Sequence, residues 1–94
     1  MKELPVPPVV QSDPSAREVA RVWVGGGQQH VTLATGLWQD PAAWGVFLVD
    51  LAKHVANAYA QGQDRDASEV LGRIREALEA EWHAPTDSPT GHIT

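Results

Sequence analysis

A chain of 94 residues with a formal net charge of −5 and no cysteine is bounded before any motif is sought. Its length allows one domain, which buries only roughly 60–65% of the surface its unfolded form exposes. Without cysteine there is no disulfide framework, thiolate metal site or thiol nucleophile. The charge is uneven: residues 1–60 hold four Lys/Arg and five Asp/Glu, residues 61–94 three and seven. No basic stripe forms, so nucleic acid and anionic membranes lack their usual electrostatic attraction. The longest apolar run, residues 42–49, is far short of the roughly 20 residues that span a bilayer. Met1-Lys2-Glu3 leads into Pro and Val rather than an apolar signal core. The expectation from these features is a cytoplasmic protein.

In chain order, residues 1–12 form a proline-rich arm. Pro5, Pro7 and Pro8 remove three backbone donors, so the arm is expected to be extended and is a candidate third strand on a sheet edge, where proline is tolerated; a second copy of the chain pairing edge to edge is the alternative. Asp13-Pro14-Ser15 reads as a turn or a short helical start. Residues 18–24 alternate, with Ala20, Val22 and Val24 on one side and Val19, Arg21 and Trp23 on the other. Residues 29–34 alternate too, Val31 and Leu33 against His30 and Thr32, and Gly25-Gly26-Gly27 lies between. This is a β-hairpin. A two-residue loop at Gly26-Gly27, or a four-residue loop over 25–28, sets Val22 opposite Val31 and Ala20 opposite Leu33. A regular three-residue loop would mix the faces, so an even loop is expected.

Asp40-Pro41 then opens a helix predicted over 41–60, Asp as cap and Pro at the first position. Trp44, Leu48, Leu51, Val55 and Ala58/Tyr59 keep one face, Phe47 widens it, and Gly62 is the expected stop. Gly45 costs helix stability, and close packing against the hairpin is the expected reason. A second helix is predicted over 67–83. Asp66 with Glu69 resembles a capping box, Leu71, Ile74, Leu78 and Trp82 form the buried stripe, and Pro85 prevents continuation. Residues 84–94 carry almost no apolar mass and are expected to be disordered. The fold class is therefore α+β, a β-hairpin followed by two helices in ββαα order with the sheet packed on helices. Residues 13–83 are taken as its single domain.

Chemistry is sparse. Asp50, His54 and Asn57 recur at i, i+4, i+7 on one stripe, and an acid four residues before a histidine can orient an imidazole. The plain alternative is a solvated polar stripe. His30, His54 and His83 match no metal-ligand spacing, and His92 falls in the tail. A strand, not a helix, follows the three glycines, and no Gly-Lys-Ser/Thr is present, so the turn reading beats a phosphate loop. Arg21, Trp23, His30 and Thr32 share the second face of the hairpin, and tryptophan beside arginine is the composition of a partner-binding surface. Burial of Trp23 in a sheet covered on both sides is the alternative. Trp38 is read as a staple over the first turn of the helix after it, and Trp44 and Trp82 as core.

The run Leu37-Trp38-Gln39-Asp40-Pro41-Ala42-Ala43-Trp44-Gly45, with Trp23-Val24 and Gln29-His30-Val31-Thr32-Leu33 before it and Asp50-Leu51-Ala52-Lys53-His54-Val55-Ala56-Asn57-Ala58-Tyr59 after it, resembles a small bacterial family catalogued only as a domain of unknown function. The resemblance runs over residues 13–82 and carries no catalytic residue. It implies a bacterial, single-domain, cytoplasmic protein. Two functions remain: a protein-interaction or assembly module, as a homodimer or accessory subunit, and a small-ligand-binding protein or enzyme working through the stripe around His54. No cofactor motif is present, and catalysis is the less favoured of the two.

Overall fold

A computed structural model describes residues 2–85 and the backbone of 92–93. The elements run α1 (Pro8–Gln11), β1 (Ala20–Gly25), β2 (Gln28–Leu33), α2 (Ala42–Gln63), α3 (Ala67–His83) and β3 (His92–Ile93). The two antiparallel strands followed by two helices are the α+β, ββαα arrangement that the alternation and periodicity predict. The chain divides into two compact units, Met1–Leu37 with Thr90–Thr94, and Trp38–Pro89.

The first unit is a three-stranded sheet in the order β1-β2-β3. β1 pairs antiparallel with β2, Ala20 opposite Leu33, Val22 opposite Val31 and Trp23 opposite His30. The loop is the two-residue one at Gly26-Gly27, with φ of +60° and +75°. Positive φ at both loop residues suits a turn whose twist matches the strands, and glycine adopts it without steric cost. The third strand is not the N-terminal arm. β3 comes from the far end of the chain and runs parallel to β2, Thr32 against His92 and Leu33 against Ile93. The expected disorder of the tail is thus corrected at His92–Ile93, while residues 86–91 and 94 lie outside the described residues.

The arm is not extended throughout either. Pro8–Gln11 winds into one helical turn, with Pro at its start, where the missing N–H costs nothing. Asp13 Oδ1 then accepts from the Ser15 amide (2.9 Å) and hydroxyl (2.6 Å), closing the predicted Asp13-Pro14-Ser15 turn.

The second unit is a helical hairpin. Asp40 Oδ1 accepts from the Ala42 amide (2.9 Å) at the start of α2. Trp38 stands edge-on to Trp44 with ring centroids 5.0 Å apart and lies 5.9 Å from Phe47, so it is the staple over the first turn. α2 runs through Gly62 and ends only where Asp64 takes the left-handed conformation (φ 52°, ψ 44°). Asp64-Arg65-Asp66 then reverses the chain, with the Arg65 guanidinium 5.7 Å from the Tyr59 ring centroid. α3 has the predicted bounds. Asp66 Oδ1 caps it, accepting from the Ser68 amide (2.8 Å), the Ser68 hydroxyl (2.7 Å) and the Glu69 amide (3.4 Å).

The seam of this hairpin is small. Ala56 on α2 (2% exposed) and Val70 on α3 (5%) are the buried apolar residues among those described. The predicted stripes are wider than the seam. At 100° per residue, Leu48, Val55 and Leu51 stand about 80–140° round α2 from Ala56. By the same count Leu78 and Trp82 stand about 80° and 120° round α3 from Val70. These flanking positions stay exposed, and Trp82, expected in the core, is 77% exposed. At Gly45 an added Cβ would meet nothing within 4 Å beyond its chain neighbours and its own helix backbone.

Candidate functional site

On α2 the Asp50–His54–Asn57 stripe lies on the flank opposite the exposed leucines, within about 60° of arc. All three residues are exposed. No hydrogen bond joins them, and the helix holds them side by side without enclosing them. Among the described residues no group of three or more His, Asp or Glu is gathered as a metal site would require.

The hairpin brings its four candidates closer. Arg21 faces Thr32, and Trp23 faces His30, directly across the β1–β2 ladder. Arg21 forks onto Glu18 Oε2 through Nε (3.3 Å) and Nη2 (3.0 Å) and lies 3.8 Å from Glu3 in the arm. The Glu18 hydrogen bond, followed by the charges of Glu18 and Glu3, raises the guanidinium pKa. His30 Nε2 lies 3.2 Å from the Gly25 carbonyl oxygen, which the Nε2–H form meets as donor. Trp23 is half-buried, while Arg21, His30 and Thr32 are exposed. On the opposite, aliphatic face Ala20, Val31 and Leu33 are half-buried, while Val22 (56%) and Val24 (80%) on β1 are exposed. Among the described residues β1 pairs with β2 alone, and that leaves its aliphatic side chains without a second flank.

Two clefts border β1. One, of about 390 Å³, is lined by Glu18, Arg21, Thr32 and Leu33 among others. The other, of about 480 Å³, lies between the arm (Leu4, Val6, Val10) and Ala20, Val22 and Trp23. Its wall takes side chains of both parities from β1, as happens where a cleft follows a strand's edge.

An open edge is what a two-strand alternation implies, and the register fixes which backbone groups it presents. Next to a two-residue loop the flanking pair Gly25–Gln28 is hydrogen-bonded, and bonded pairs recur at every second residue, Trp23–His30 and Arg21–Thr32. The Ala34 amide, donating to the Val19 carbonyl at 3.0 Å, continues that series. The amides and carbonyls of Ala20, Val22 and Val24 therefore point away from β2. Among the described residues no backbone hydrogen bond joins the arm to them. The parity that fixed the register also identifies these outward groups.

A β-hairpin sheet and a capped helical hairpin on one short chain define a small α+β protein. The chain belongs to the family described as a domain of unknown function (DUF5076), whose model matches residues 3–86. It is also similar to a solved structure described as "a putative pyruvate dehydrogenase from the photosynthetic bacterium Rhodopseudomonas palustrus CGA009". The identity is 38%, the TM-score 0.76, and the match covers 100% of this chain and 96% of that one. No curated protein matches. No helix among the described residues is long and apolar enough to cross a membrane.

Proposed function

We propose that this protein is an interaction or assembly module, whose apolar surface is completed by another polypeptide. One observation carries the reading: among the described residues only Ala56 and Val70 are buried apolar side chains, whereas Val22, Val24, Leu48, Leu51, Leu78 and Trp82 stay exposed. Apolar surface left uncovered on this scale marks an interaction site on a soluble domain. Arg21, Trp23, His30 and Thr32 add aromatic and guanidinium anchors beside the aliphatic edge of β1.

The ligand or enzyme reading through Asp50, His54 and Asn57 has less support, because a binding site is concave and this stripe is an exposed helix flank. A dehydrogenase activity, the description given to the similar structure, gains no support from the exposed Asp50, His54 and Asn57. The test is the mass of the native species: light scattering after size exclusion, on the purified chain and on the chain at native abundance in cell extract. A dimer or larger complex in either sample is expected. A monomer in both contradicts the reading.

A further inference from the structure

We infer that the partner is a second copy of this chain, joined antiparallel through the free edge of β1 with Val22 on the two-fold axis. This rests on the assembly reading above and names its occupant.

The edge is self-complementary in one register. Ala20, Val22 and Val24 are the residues whose backbone groups face outward, so a second β1 must place its own three opposite them. Centring on Val22 matches all three: Val22 meets Val22 of the other copy, and Ala20 meets Val24, closing a hydrogen-bonded ladder. On the aliphatic side the exposed Val22 and Val24 gain neighbours across the axis. On the other side Arg21 falls opposite Trp23, twice, in the non-hydrogen-bonded positions where side chains approach most closely. A guanidinium against an indole is a favourable pair. Shifting each strand by one residue sets Arg21 on Arg21 or Trp23 on Trp23 and loses part of the ladder, and the first of these juxtaposes like charges.

The arm lies alongside β1 across a cleft of about 480 Å³, so an incoming strand must push it aside. Among the described residues the ion pair holding it to the strand is the long, exposed Arg21–Glu3 contact at 3.8 Å. Exposed pairs of this kind hold little. Pairing of two six-residue strands buries less than a standard interface, so association is expected to depend on concentration.

The experiment is sedimentation of the full chain up to about 1 mM, with register read by cross-linking. The chain has no cysteine, so one introduced thiol reports one position. The wild type is expected to dimerise. Val22→Pro removes an outward N–H without touching the β1–β2 ladder. Val22→Lys places a charge on the axis and guards against a folding defect in the proline variant. Each should raise the dimer dissociation constant at least roughly tenfold with the circular dichroism unchanged. Val22→Cys should oxidise to a covalent dimer, because paired Cα atoms about 5.5 Å apart suit a disulfide. Val24→Cys should not, since its two copies lie about 14 Å apart in this register. Three results would overturn the inference: a dimer indifferent to both Val22 variants, equal cross-linking at the two positions, or a monomer throughout. A purified monomer that travels in a larger species in extract overturns self-pairing alone and leaves the assembly reading standing.

Discussion

Asp66 accepts three hydrogen bonds from Ser68 and Glu69, and these hold its carboxyl below the ordinary carboxylate range, the Ser68 hydroxyl contributing most. A carboxylate with a lower pKa in the folded chain than in the unfolded one stabilises the fold fully above its unfolded value, near pH 4. That contribution disappears as the pH falls through the folded value. Acid titration followed by circular dichroism should therefore show α3 loosening below about pH 4. Asp66→Asn keeps the acceptor, so it should hold its stability at neutral pH and flatten the acid limb. Asp66→Ala should lower the neutral-pH Tm by roughly 5 °C. This cap was legible in the sequence because an acid three residues before Glu69 and just ahead of an apolar stripe has one obvious use. The fate of Trp82 was not. Its periodicity fits the stripe, but burial depends on which arc of α3 meets α2, and that arc is centred on Val70.

At the scale of the element, the hairpin was the most legible part. Two alternating runs and a glycine loop leave few registers, and only an even loop keeps the valines together, as the pairing of Val22 with Val31 bears out. The end of α2 was harder to place. Gly62 is a reasonable stop, but Asp64 adopts the left-handed conformation that ends the helix, and an acidic side chain gives little notice of it. β3 left no trace in the sequence either, because a two-residue strand has no periodicity and its register comes from β2. Gly45 offers a test of α2. An added Cβ meets nothing within 4 Å. Gly45→Ala should therefore stabilise the protein by about 0.8–1 kcal/mol, raising Tm by several degrees. No change, or a loss, would mean that something packs on that face.

At the scale of the whole molecule, the polar stripe and the aliphatic edge differ in what they leave unsatisfied. Asp50, His54 and Asn57 are exposed polar groups that water satisfies. Val22, Val24 and the leucines flanking the helical seam are apolar surface that water does not. The sequence disclosed which residues could form faces, but coverage of a face is a tertiary property that periodicity does not encode. Residue-resolved amide hydrogen exchange from dilute to concentrated protein tests the account most directly. Arg21 and Trp23, bonded to β2, should be protected at every concentration. Ala20, Val22 and Val24 should gain protection only as the concentration rises, in strict alternation with them. Rapid exchange of those three amides at every concentration would contradict it.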